Sequence, residues 1–489
     1  MVDNIHPLLK RGKDIEAMMP YWDQVDSIVE GYHSIKAQGD KFLPRFPDEP
    51  AEDYNNRLNL TKFTNIYRDT LEGLATKPFE EEISIIKGEG EEIPEIVKTF
   101  TENVDGAGNN LTMFSALTFF EGINDAISWI FVDYPNVDNT RPMSVAEAKA
   151  KNLKPWWSHV LARNVLEIRS MMVGSEELIS YIRLFEPASD ADPADHVREF
   201  FRSPEGVVTW VLWKKNLAPK VKLEDQFTQV GGGTLSIKVI PLVPFATGRR
   251  DGRTFKFSPV MRDAADLQID LYQDESALKF IKTLAGYPML AANGLKPEKG
   301  PDGKPLKVAT GPMRVLYGLP DGAGGHGEWR YIEPSANSME FLQKSIDKTK
   351  QDLRELGRQP LTSLSSQLTN TTTAIAAGKA KSAVSAWALG LKDALENALK
   401  ITMQYMNSTF EPMVNVYIGF DDVLDDGKDV EALLKARENG DLSQETFHAE
   451  MKRRKILSPE FSHEDEKRRM LTDIPVDDVQ DAPPSDNKS

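Results

Sequence analysis

The sequence predicts an α+β fold, mainly helical, on three observations. Apolar and aromatic residues recur at helical spacing over Tyr21–Lys36 and again over Tyr54–Leu74. Two long helices with legible ends follow, over 259–285 and 338–357, and an Ala-rich one over 374–406. Short β-branched and aromatic runs, suited to half-buried strands, lie between them. With 489 residues the chain has room for about three domains or one elaborated unit.

In chain order, the first stripe is Trp22, Val25, Ile28, Val29 and Tyr32, and the second is Leu58, Phe63, Ile66, Tyr67 and Leu71. FLPRFPDEP between them is a proline-broken loop. Strand-like runs follow at Ile83–Ile86, Ser128–Val132, Glu177–Phe185 and Val207–Trp213. Gly231, Gly232 and Gly233 predict a flexible turn before a strand over Ser236–Leu242, and residues 1–258 read as an α/β region.

Ser258 is placed as an N-cap, Pro259 takes the favoured first helical position, and Gly286 with Pro288 closes that helix. Asn337 and Glu340 resemble a capping box for the next helix, which Gly357 and Pro360 stop. PLKVAT, MRVLYGL and EWRYIEP, between the two, predict short strands. After Pro360 comes the uncharged run LTSLSSQLTNTTT, then the Ala-rich helix with Gly390 at its middle, where glycine favours a kink. MVNVYIGF predicts a strand, and residues 428–472 predict a helical hairpin turning at Asn439–Gly440 with Ser443 as the second cap. The last residues, IPVDDVQDAPPSDNKS, have the composition of a disordered tail.

Charge and composition exclude several functions. Lys plus Arg is 59 and Asp plus Glu is 75, a net charge of −16, which argues against a sequence-reading DNA binder. Cysteine is absent, so disulfides, thiolate metal sites and cysteine nucleophiles are excluded. No apolar run reaches the roughly 18 residues of a membrane span, and MVDNIHPLLKRGKDIE turns charged too early for a secretory signal. A soluble protein of cytoplasm-like compartments is expected. The histidines form no metal-ligand pattern, and neither GxSxG nor a P-loop is present. Gly322, Gly324 and Gly327 fit GxGxxG formally, but a strand-like run follows instead of the helix that a dinucleotide needs. The chain is expected to be no enzyme and to need no cofactor or metal.

One charge pattern stands apart. Asp263, Asp266, Asp270 and Asp274, spaced 3, 4 and 4, stack four carboxylates on one helix face. An ordinary solvated face is the plain reading; a wall that phosphate passes without sticking is the functional one. On the second helix Lys344, Lys348 and Lys350 mix with acids, which reads first as surface ion pairs.

This layout resembles the portal proteins of tailed bacteriophages, and within them a group known only as a domain of unknown function. The blocks that carry the resemblance are YWDQVDSIVEGYHSIKAQGDKFLPRFPDEPAEDYNNRLNLTKFTNIYRDTLEGLATKPF, FSPVMRDAADLQIDLYQDESALKFIKTLAGYPMLAANG, AIAAGKAKSAVSAWALGLKDALENALKITMQYM and ENGDLSQETFHAEMKRRKIL, in that order between Tyr21 and Arg469. One departure is that Asn370 to Thr373 precede Ala374 where the family pattern has an acidic residue before Thr-Ala.

The resemblance implies a homo-oligomeric ring, usually of twelve subunits, at one capsid vertex of the virion. It implies a wing (1–258), stem helices (259–285 and 337–358), a clip (286–336), a tunnel loop with a long kinked wing helix (359–422), a crown (423–475) and an acidic tail (476–489). Thr362, Ser363, Ser365, Ser366, Gln367, Thr369 and Asn370 would be the loop that faces DNA with neutral hydrogen bonds. The implied partners are double-stranded DNA without sequence specificity, the terminase large subunit, a head–tail adaptor, and the major capsid and scaffolding proteins, with no membrane. Two other readings are a different virion part such as a head–tail adaptor, and a cytosolic hydrolase with an unrecognised site.

Overall fold

The computed structural model describes residues 5–86, 92–135, 153–190, 192–286, 289–293, 315–318, 328–332, 336–356, 370–418 and 428–453, with a few positions between 456 and 468. It divides into two units, Met1–Phe420 and Asp421–Ser489.

The first unit opens with helices α1 (Lys13–Glu30), α2 (Tyr32–Ala37), α3 (Ala51–Leu60) and α4 (Ile66–Ala75). Each of the two long helical runs read from the sequence is therefore split. Gly31, at φ 92°, turns the chain between α1 and α2. Asn65 ends the second break, its side chain accepting from the Arg68 N–H at 2.9 Å to cap α4. The helix α1 also starts earlier than expected and runs through Pro20, burying Ile15, Met18, Tyr21, Trp22, Val25 and Ile28 at spacings of three and four. Next come β1 (Ser84–Ile86), α5 (Glu95–Glu102) and the largely apolar α6 (Leu111–Asp125).

The centre of the unit is a three-stranded antiparallel sheet. Its middle strand β2 (Ile127–Asp133), buried from Ile127 through Val132, lies between β3 (Trp156–Val160) and β9 (Leu242–Ala246). Phe245 on β9 stacks on Phe119 of α6, ring centroids 5.5 Å apart, and lies over Gly122. A five-stranded antiparallel meander joins this sheet through Phe131 and Phe200. It runs β4 (Val165–Val173), β5 (Glu176–Glu186), β6 (His196–Arg202), β7 (Val208–Lys215) and β8 (Phe227–Thr234).

Three expectations fail here. Gly231–Gly233 make no turn: they sit inside β8, paired with β7, because the Trp210 side chain lies across them and a Cβ at Gly231 would stand 3.3 Å from it. Ser236–Ile240 is irregular backbone instead of a strand, and the strand starts at Leu242. Residues 1–258 are not α/β: helices come first, and every described strand pairing within them is antiparallel.

A small hairpin, β10 (Arg249–Arg250) with β11 (Phe257–Ser258), precedes α7 (Arg262–Gly286). Ser258 is thus a strand residue and not the cap of α7, which begins four residues later and includes Gly286, one residue past the expected end at 285. Three short strands follow, β12 (Met289–Asn293), β13 (Val315–Gly318) and β14 (Glu328–Ile332). β12 is central, parallel to β13 and antiparallel to β14. Two of the expected runs are present, β12 is an addition, and PLKVAT lies outside the described residues.

Then come α8 (Ala336–Leu356), with Asn337 inside its first turn instead of capping it, and α9 (Asn370–Tyr405). The latter is a single helix of 36 residues, about 54 Å, continuous through Gly390. Last in this unit, β15 (Met413–Asn415) pairs antiparallel with β1. The second unit holds α10 (Lys428–Glu438) and α11 (Gln444–Arg453), turning at Gly440 (φ 81°). The Ser443 hydroxyl caps α11 by accepting from the Thr446 N–H at 3.1 Å. The tail 476–489 lies outside the described residues.

Candidate functional site: the α7–α8 helix pair

α7 and α8 pack antiparallel, and two side-chain contacts fix their register. Lys350 pairs with Glu275 at 2.8 Å, and Lys282 Nζ donates to Gln343 Oε1 at 3.4 Å. Seven residues forward on α7 is therefore seven residues back on α8, two turns of each helix. Ile346 and Leu353 of α8 and Leu278 of α7 are buried apolar residues of the pair.

The first half of α7 is held by polar groups in the core. Gln268, fully buried, accepts from the Ile66 and Tyr67 N–H groups at 3.0 Å each and donates to the Thr64 carbonyl at 2.9 Å. One glutamine thus satisfies two orphan donors at the start of α4. Ser276 meets Thr61 Oγ1 at 2.9 Å and accepts from Arg57 Nη1 at 3.3 Å. Arg57 makes a two-pronged pair with Glu49, both contacts at 2.8 Å, with side chains 3% and 5% exposed. Gln273 Nε2 donates to the Phe42 carbonyl at 3.0 Å. These residues were missed from sequence; the available signal was Gln268 standing on the same face as Ala264, Ala265, Leu271 and Tyr272.

The four aspartates occupy the opposite face. Asp263, Asp266 and Asp270 are exposed and Asp274 is half-buried. Asp266 accepts a hydrogen bond from Gln24 of α1 at 2.9 Å. Burial, and after it the neighbouring Asp270 charge, raises the Asp274 carboxyl above its ordinary value. Three exposed carboxylates with the half-buried Asp274 beside them form an acidic strip, and a strip of like charge repels polyanions.

Of the three lysines, Lys344 pairs with Glu340 at 2.9 Å on the surface and Lys350 bridges to α7, while Lys348 is exposed. The ion-pair reading therefore holds for two of them. Thr362, Ser363, Ser365, Ser366, Gln367 and Thr369 lie outside the described residues, as do Gly322, Gly324 and Gly327. Asn370 is corrected: it is the first residue of α9, so it belongs to the helix and not to a loop, and the helix starts four residues before Ala374.

A second set of carboxylates lies between α1 and α6. Arg163 bridges Asp23 at 2.9 Å and Asp26 at 2.8 Å. Burial, opposed by Arg163, pushes the Asp26 carboxyl up to about 6. Burial and the Asp26 charge raise Glu121 to about 7, and burial carries Asp125 well above the carboxylate range. Among the described residues no group of three or more His, Asp or Glu side chains is arranged to hold a metal ion, and no helix is long and apolar enough to cross a membrane.

Comparison with known proteins gives limited matches. Residues 260–406, which include α7, α8 and α9, match a family described as Domain of unknown function (DUF4055). No curated protein matches the chain. A solved structure described as "Neck of native GTA particle computed with C12 symmetry" aligns at 12% identity over 78% of this chain and 88% of its own, with a TM-score of 0.37. Another, "Virion of native gene transfer agent (GTA) particle", aligns at 12% identity over 83% of this chain and 88% of its own, with a TM-score of 0.35. Scores of that size establish neither a shared fold nor a shared role.

Proposed function

We propose that this chain is a portal protein, a structural component of a phage-like virion. Copies close side by side into a ring around a channel for double-stranded DNA. The observation that carries this reading is the helix pair. α7 and α8 pack antiparallel, the small sheet of β12, β13 and β14 lies in sequence between them, and α7 carries Asp263, Asp266 and Asp270 exposed on one face with Asp274 half-buried beside them. The ordered sequence blocks that resemble portal proteins support the same reading.

The chemistry suits passage more than binding. Each cation that neutralises a phosphate adds salt-sensitive affinity, so a wall that lets DNA slide has to keep such contacts few. Asp263, Asp266, Asp270 and Asp274 facing the lumen would do so, and contacts to the DNA backbone there would carry no sequence information. In this reading the segment of β12 to β14 docks the terminase large subunit during packaging and a head–tail adaptor afterwards, and the outer surface meets capsid and scaffolding proteins. The chain carries no P-loop motif, and the energy for DNA movement comes from the partner ATPase. The ring has no catalytic role and takes no cofactor.

Electron microscopy of the purified chain tests the proposal. Rings with a central hole are expected, and a compact monomer at every concentration would overturn it. Within assembled rings, exchanging the four aspartates for lysine is expected to leave particles underfilled with DNA; normal filling would remove the lumen assignment.

A further inference from the structure

The second unit holds a pair of imidazoles in direct contact. After α11 the Ile456 and Leu457 N–H groups both donate to the Met451 carbonyl, at 3.0 and 3.2 Å. The chain then meets α11 again at Phe461 and His463. Phe461 packs edge-on against the His448 ring of α11, centroids 5.0 Å apart, and the His448 and His463 rings lie 5.1 Å apart. Their Nδ1 atoms stand 3.0 Å from each other, a hydrogen bond between two histidines 15 residues apart. Both rings are half-buried.

Such a bond needs one proton between the two nitrogens, and only one. A neutral or charged ring can donate through Nδ1–H, but its partner must keep the Nδ1 lone pair. When both rings are charged, two N–H donors face each other and the contact turns repulsive. Partial burial first, then the charges of His463 and Arg437, hold His448 below the ordinary imidazole value of 6.5, and Glu466 opposes them. Arg437, of α10, is fixed beside the pair by its bond to the Leu442 carbonyl at 2.9 Å. Among the described residues, Glu445 and Glu450 are the nearby acids of α11, and Lys467 follows His463 by four positions.

We propose that His448 and His463 form a proton-sensitive latch, which holds Phe461 and His463 against α11 at neutral pH and releases them when the second imidazole takes up a proton. A base held below its ordinary value contributes stability that is complete above about 6.5 and is lost as pH falls. Acid therefore opens the latch. It lies within the second unit and operates whether or not copies close into a ring.

Because the chain has no cysteine, two can be introduced as the only labelling sites, at Gln444 and Lys467, both exposed. The full chain carrying Gln444→Cys/Lys467→Cys is spin-labelled and diluted among unlabelled copies. Double electron–electron resonance then reads the distance between the labels at about pH 7.5 and about pH 5. One narrow distance is expected at the higher pH, and at the lower a broad second population raised about tenfold or more. His463→Asn, added to the labelled chain, puts a neutral amide at the Nδ1 position that can donate or accept, and is expected to keep the narrow distance at both values. His448→Asn makes the same test from the other side should the first variant fail to close. A wild-type distribution that ignores pH overturns the latch, as do amide variants that open with acid or close at neither value. Loss of helix by circular dichroism at the lower pH assigns the change to acid unfolding and overturns it too. A narrow distance that EDTA broadens at neutral pH assigns the pair to a bound metal ion, with the same consequence.

Discussion

The two halves of α7 are held by different physics. From Arg262 to Ser276 the helix is fastened by buried polar groups, Gln268 on the start of α4 and Ser276 against Arg57 and Thr61. Among the described residues, its polar contact with α8 beyond Ser276 is the exposed Lys282–Gln343 bond, and the partly screened Lys350–Glu275 pair stands at the boundary of the two halves. Buried polar groups have no water to fall back on, whereas exposed ones exchange partners at little cost. The base of the pair is thus over-determined in position, and the far half takes its placement from apolar contact with α8.

That contrast can be broken at its strongest point first. Arg57→Ala leaves the screened Glu49 carboxylate without its cation and is expected to cost about 3–5 kcal/mol, read as a fall in the denaturant midpoint. An unchanged midpoint would mean that the base is not held this way. Gln268→Ala leaves two N–H groups of α4 without an acceptor, at about 1–3 kcal/mol. Hydrogen exchange at Ile66 and Tyr67 reports it directly.

Glu121 sharpens the comparison through pH. Its carboxyl, ordinarily near 4.5, is raised to about 7 in the folded chain by burial and by Asp26. A raised acid contributes stability that is complete below about 4.5 and is lost as pH climbs through about 7. Glu121→Gln is therefore expected to match wild type at pH 4.5 and to exceed it by about 1–2 kcal/mol at pH 8. Parallel melting curves across that range would refute the assignment. The smallest effect belongs to the far half: Lys282→Ala removes the exposed bond to Gln343 and is expected to change stability by about 0.5 kcal/mol or less, read as a near-constant denaturant midpoint.

Legibility in the sequence followed periodicity. α7, α8 and α9 were readable because long apolar stripes and Gly or Pro stops repeat one signal many times. The strands β3, β4 and β6 were not, since runs such as HVREFFR mix charge with aromatics and gain their pairing from neighbours distant in sequence. Gly231–Gly233 misled because local preference says turn while Trp210, on the adjacent strand, supplies the packing that keeps them extended. At the site, the aspartate face was visible as a spacing. The Arg57–Glu49–Ser276 network was not, because it links positions as far as 219 apart and no local pattern records such a meeting.

The register of the helix pair limits how this region can change over generations. Because a step forward on α7 is a step back on α8, a residue inserted into one helix alone would pull Lys350 from Glu275 and Gln343 from Lys282 together. Insertions and deletions are tolerable only as matched changes in both arms, close to whole turns. Relatives of this chain should therefore differ in the length of this helix pair by paired, quantised steps, and seldom by single residues.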